Sequence, residues 1–130
     1  MSYLIDTTTL LELLRASPPQ SLVYRLSQVP PPQRYTSAIA VSQILLAARR
    51  EKDARLMQNV VRLVAAIQVA PYDLSAAQAF ARFRAKLDEQ GETDDVMMAA
   101  IAISRDFTLV TRRIEVFEKF PALRIEDWTK

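Results

Sequence analysis

An α/β fold, with a central parallel sheet covered by helices on both faces, is what this sequence predicts. Three observations carry the prediction. Short apolar runs alternate along the chain with segments of helical period, the pattern that builds parallel sheets from strand–helix–strand units. Asp94 to Ser104 is rich in alanine and methionine and apolar nearly all round, which marks a buried helix. The length of 130 residues is that of one domain with a core needing no staples, so residues 1–130 are read as a single domain.

Tyr3 to Ile5 reads as the first strand and Thr9 to Arg15 as a helix. Ser17-Pro18-Pro19 stops that helix and restarts another through about Ser27. Pro30-Pro31-Pro32 is the clearest break in the chain but too short to part domains. Tyr35 to Ala38 is then a strand, followed by a helix over Val41 to Arg50 with Val41, Ile44, Leu45 and Ala48 on one face. Asp53 to about Ala66 carries Leu56, Val60, Leu63 and Val64 at helical spacing. Ile67 to Ala70 is a short strand ended by Pro71. Ser75 to Gln90 is a long helix with Ser75 as N-cap and Gly91 as its stop. After the apolar helix, Thr108 to Val110 is a strand, Val116 to Phe120 one helical turn, and Leu123 to Ile125 a last strand.

Composition removes whole classes of chemistry. Without cysteine there are no disulfides, thiolate nucleophiles or cysteine metal sites. Without histidine there is no imidazole acid–base chemistry and no Ser-His-Asp triad. A single glycine, Gly91, rules out a P-loop or dinucleotide fingerprint. Carboxylates, hydroxyls, amides and cations remain, and carboxylates with hard divalent metals are the natural pairing. The 17 basic and 15 acidic residues give a net charge of only +2, so any nucleic-acid contact rests on local clusters. These are Arg49-Arg50-Lys52-Arg55, Arg82-Arg84-Lys86 and Arg112-Arg113, each of which could meet phosphates but reads first as a solvated helix face. No basic segment followed by a long apolar one opens the chain, and no apolar run reaches the ~18 residues of a membrane span. A cytoplasmic protein without membrane contact is the expectation.

Asp6 stands directly after the first strand, where open α/β sheets place ligands. Thr93-Asp94-Asp95 forms another acidic junction before a helix. Both have a structural alternative: Asp6 suits an N-cap, and the acidic triplet suits the positive end of a helix dipole.

The run Tyr3-Leu4-Ile5-Asp6-Thr7-Thr8, then Thr36-Ser37-Ala38 leading to Gln43-Ile44-Leu45, then Asp95-Val96-Met97-Met98-Ala99-Ala100, resembles a PIN domain. So does Thr108-Leu109-Val110-Thr111-Arg112-Arg113 with Phe117, Phe120-Pro121 and Leu123 to Trp128. The resemblance spans essentially the whole chain and is closest to toxins of the VapC type. It implies a three-layer α/β/α PIN-like fold with a central parallel sheet. It also implies an endoribonuclease dependent on Mg²⁺ or Mn²⁺, which acts on RNA, dimerises with its own copy and is silenced by a cognate antitoxin protein.

Residue by residue, the resemblance implies Asp6, Gln43 and Asp95 as the catalytic positions, with Asp6 and Asp95 as metal ligands. Gln43 stands where the family carries a glutamate, and Val116 where many members carry a fourth acid. Thr8 and Arg113 replace two asparagines. The stretch from Gly91 to Asp95 is short, so Asp94 is an alternative to Asp95 as the aligned acid. Thr111, Arg112, Arg113 and Glu115 are further candidates, the arginines for phosphate charge and Glu115 as a substitute acid. On a regular helix Glu115 points about 100° from Val116, so that role needs irregular backbone.

Gln43 keeps a ligating carbonyl oxygen but removes one negative charge. At about 4 Å and an effective dielectric near 20, that charge is worth ~4 kcal/mol per opposing unit charge before hydration offsets it. A net loss of ~1.4 kcal/mol is tenfold in metal affinity. Gln43 also cannot serve as a general base. The expectation is weakened turnover, the alternative an inactive PIN-fold module that acts through protein or RNA binding.

Overall fold

The computed structural model describes residues 1–87 and 91–130. Five short strands form one sheet: β1 (Tyr3–Ile5), β2 (Arg34–Ser37), β3 (Gln68–Ala70), β4 (Thr108–Val110) and β5 (Ile125–Glu126). Their order is β3-β2-β1-β4-β5, and every pairing is parallel. The chain walks outward from β1 through β2 to β3, then crosses back to β4 on the other side of β1. Ile5 pairs with Thr36 on one side and Val110 on the other. The next residues along the three strands, Asp6, Ser37 and Thr111, therefore emerge at one level of the carboxyl edge. The reversal of strand order beside β1 opens the crevice in which such sheets bind ligands.

Helices α1 (Thr7–Leu13), α2 (Gln20–Ser27), α3 (Ala38–Glu51), α4 (Ala54–Ala65), α5 (Leu74–Leu87), α6 (Thr93–Ser104) and α7 (Ile114–Phe117) flank the sheet. Leu4, Ile5, Leu109 and Val110 have no exposed surface, as strands covered on both faces require. α6 is the buried helix that its composition predicts, with Val96, Met98, Ala99, Ala100, Ile101 and Ala102 all in the core. α3 packs on α1, α4 and α6, which brings its first turns against the carboxyl edge.

Several boundaries differ from expectation for local reasons. α1 begins at Thr7 rather than Thr9, because the Asp6 carboxylate accepts the Thr9 amide at 2.9 Å and starts the helix at once. Ser37 does the same for α3 by accepting from Ala40 N, so Ala38 is helical rather than the end of β2 and the helix precedes Val41. α5 is capped by Asp73, whose carboxylate accepts the Ala76 amide at 3.0 Å; Ser75 lies inside the first turn and is not the cap. The expected continuation of this helix to Gln90 falls, for 88–90, outside the described residues. Gly91 has φ +87°, a conformation that favours glycine.

α7 lies at Ile114–Phe117 rather than Val116–Phe120. β5 is Ile125–Glu126 rather than Leu123–Ile125, its register being set when Leu109 N donates to Arg124 O and Thr111 N to Glu126 O. Trp128 locks this last strand in place. It is buried, its ring lies 5.0 Å from that of Tyr3, and its Nε1 donates to Glu126 Oε1 at 2.9 Å. Among the described residues no helix is long and apolar enough to cross a membrane.

Candidate functional site

Asp6 sits at the end of the central strand, held by its own helix and by the neighbouring strand. Its backbone amide donates to Val110 O of β4, which fixes the junction. Its Oδ1 accepts from Thr9 N at 2.9 Å and Thr8 Oγ1 at 2.8 Å, and its Oδ2 accepts from Thr111 Oγ1 at 2.5 Å. The residue is only 2% exposed. Burial raises its carboxyl above the ordinary value of 3.8, outweighing the hydrogen bonds from Thr111, the Thr9 amide and the Thr8 hydroxyl that favour the charged form. The N-cap reading of Asp6 holds: its buried carboxylate starts α1 at the carboxyl edge of the sheet.

Asp95 lies in the first turn of α6 and faces inward at 6% exposure, while Asp94 beside it is exposed. Arg113 donates to both Asp95 oxygens, Nη1 to Oδ1 and Nη2 to Oδ2, each at 3.0 Å. This is the bidentate fork that guanidinium and carboxylate make best. Arg113 N also donates to Thr111 Oγ1 at 2.9 Å. Across the crevice, Gln43 of α3 accepts a short hydrogen bond from Thr7 Oγ1 and donates through Nε2 to Asp94 Oδ2 at 3.0 Å. The result is a circuit of two hydrogen-bonded chains, Asp6–Thr111–Arg113–Asp95 and Asp94–Gln43–Thr7, connected to each other only where Asp95 follows Asp94 and Thr7 follows Asp6 in sequence. Residues far apart in sequence are thereby joined by hydrogen bonds near the carboxyl ends of β1 and β4. A cavity of about 260 Å³ lined by Ile39, Ser42, Gln43, Leu46 and Asp94 opens beside them.

Two expectations need correction. Arg112 and Arg113 are not free cations waiting for phosphate. Arg112 is ion-paired with Glu12, and Arg113 with Asp95. Glu115 does not stand in for an acid at Val116, because α7 is regular there and Glu115 is exposed on it, apart from the circuit among the described residues. Two participants went unsuspected. Thr7 fixes Gln43, and Glu12, buried on α1, takes Arg112 on one oxygen and Arg15 at 2.7 Å on the other. Its carboxyl is held below the ordinary 4.5, first by the Arg15 hydrogen bond and then by the charge of Arg112. A glutamate interrupting the run Leu10-Leu11-Leu13-Leu14 was the signal for it.

The donor set in this arrangement does not fit a divalent cation. Among the described residues no three carboxylates gather closely enough to hold one. Asp6 already accepts from three protein groups, both Asp95 oxygens are taken by Arg113, and Asp94 accepts from Gln43. A glutamate at 43 would face Asp94 with like charge unless a cation lay between them; the glutamine amide removes that need.

The PIN domain family profile matches residues 3–121. The chain belongs to the PIN domain family. This PIN domain is 31% identical over 97 residues to the tRNA(fMet)-specific endonuclease VapC of Shigella flexneri, covering 72% of this chain and 74% of that protein. Among solved structures, it is similar to DNA-bound VapBC from Salmonella typhimurium at 26% identity and a TM-score of 0.84, covering 98% of each chain. Its fold is also that of VapBC2 from Rickettsia felis bound to a promoter DNA fragment, with a TM-score of 0.90 at 19% identity over 98% of this chain and 99% of that one. The five-stranded parallel sheet flanked by helices is the α/β/α PIN architecture that the resemblance implies.

Proposed function

We propose that this chain is a VapC-type toxin whose PIN site is directed at the RNA phosphodiester backbone, with ribonuclease activity weakened by its own substitutions. In this reading Asp6 and Asp95 are the surviving acids, Gln43 is a neutralised third position, and a cognate antitoxin protein holds the toxin, itself a homodimer, in a silent cytoplasmic complex. The observation that supports it is the hydrogen-bonded chain from Asp6 through Thr111 and Arg113 to Asp95, beside which Gln43 bonds Thr7 and Asp94. The Shigella relative bears the name of a tRNA endonuclease, and the Salmonella relative is known as a VapBC complex, which supports RNA as target and an antitoxin as partner. Any Mg²⁺ or Mn²⁺ requirement belongs to the family chemistry, since this arrangement of donors is already satisfied from within.

The test is cleavage of purified tRNA in Mn²⁺ by wild type and Asp6→Asn. Slow cleavage is expected, reduced at least about tenfold by the substitution, equivalent to ~1.4 kcal/mol of barrier. Cleavage indifferent to Asp6 overturns the site. One observation favours the second reading, a PIN-fold module that binds without turnover: every acid of the pocket is answered by a protein donor. It predicts no cleavage by wild type beside intact partner binding.

A further inference from the structure

We infer that the Arg113 guanidinium is the resident counter-ion of Asp95 and closes this pocket to divalent cations for as long as it stays there. The inference rests on reading the pocket as a PIN ribonuclease site and goes beyond it, in naming the group that weakens the site.

Asp95 is nearly buried, its side chain 9% exposed, and a buried carboxylate needs a partner charge. Arg113 supplies it through two parallel hydrogen bonds of 3.0 Å, which use both oxygens at once. A divalent ion approaching Asp95 therefore has to break a bidentate ion pair, where an uncharged side chain at 113 would leave the carboxylate open. The guanidinium is held from behind as well. Its backbone amide is anchored on Thr111, the same hydroxyl that donates to Asp6, and its side chain lies over the Phe117 ring at 6.0 Å. Gln43 completes the arrangement on the far side by giving Asp94 an amide donor in place of a cation. Gln43 and Arg113 act in one direction, each placing a donor on an acid of this edge.

Arg113 is nevertheless 40% exposed along its side chain, so the pair sits at the mouth of the pocket rather than sealed within it. The lock is a surface-accessible ion pair, removable by substitution without excavating the core.

Mn²⁺ titration by calorimetry, with bound Mn²⁺ counted by electron paramagnetic resonance, tests this on wild type, Arg113→Ala and Arg113→Ala/Asp95→Asn. Wild type is expected to leave Mn²⁺ unsaturated in the low millimolar range. Arg113→Ala should bind one ion at least about tenfold tighter, and Asp95→Asn in that background should erase the gain. Equal affinity of wild type and Arg113→Ala overturns the inference, as does a gain that survives Asp95→Asn. Should Arg113→Ala fail to fold, Arg113→Met keeps the apolar stem over Phe117 while removing both the charge and the donors, and it carries the same expectation. Assaying the same proteins on tRNA separates this inference from the functional reading. Mn²⁺ gained without any cleavage sinks the nuclease reading alone, whereas tight Mn²⁺ binding and cleavage by wild type sink the lock alone.

Discussion

Asp6 is asked to do two things that pull its chemistry in opposite directions. As the cap of α1 it must accept the Thr9 amide, which suits an ionised carboxylate; as a buried group it pays for ionisation in lost hydration, and burial dominates. Its folded-state pKa lies above the ordinary 3.8, so the native state keeps a proton that the unfolded chain releases. Stability contributed by Asp6 is therefore full at low pH and is lost as pH rises through the window from 3.8 up to its raised value. Asp6→Asn removes this loss. The stability of the variant relative to wild type should become more favourable between about pH 3.5 and pH 7, measured by urea unfolding at several pH values. A difference that stays flat or reverses would show that the hydrogen bonds from Thr8, Thr9 and Thr111 outweigh burial. Asp6 itself was visible from its position after Tyr3-Leu4-Ile5. Its burial and its bond to Thr111, 105 positions away, were not, because neither leaves a local pattern.

The strands and helices were legible to the extent that their causes are local. The apolar run Tyr3-Leu4-Ile5 announced β1, Leu109-Val110 after Thr108 announced β4, and helical spacing announced α3 and α4. The misplaced starts of α1, α3 and α5 all trace to capping side chains, where several polar residues compete and only backbone geometry selects one. Ser37 illustrates what a cap does for the pocket. Its buried hydroxyl accepts from Ala40 N at 2.9 Å and starts the helix that carries Gln43. Ser37→Ala should cost about 1–2 kcal/mol in urea unfolding, because a buried amide loses its acceptor. A cost near zero would mean that the α3 amide finds another partner. Lys52 ends the same helix at φ 54° with no glycine to announce it, which is why the exact stop escaped the sequence reading.

For the molecule entire, the sheet is the frame and its far edge is fastened by the last residues of the chain. Trp128 is 1% exposed, packs on Tyr3 of β1, and receives Arg25 of α2 over its ring at 5.2 Å. Arg25 and Trp128 both donate to Glu126, so β5, α2 and β1 are joined at one point. Trp128→Ala should destabilise by about 3–5 kcal/mol, a large share of the ~5–15 kcal/mol that such domains possess; the urea midpoint would show it, and an unchanged midpoint would remove the tryptophan from the core's energetics. The α/β class, the parallel sheet and the buried α6 could be read from residue order, because periodicity and apolar runs are properties of neighbours along the chain; the PIN kinship came instead from the resemblance of motif residues such as Tyr3 to Thr8 and Asp95 to Ala100. Which charges meet could not be read. Arg113 on Asp95, Arg112 on Glu12 and Gln43 on Asp94 join residues 18, 100 and 51 positions apart. Such pairings arise when parallel crossovers bring strand ends and helix starts to one edge, and nothing local in the chain encodes that meeting.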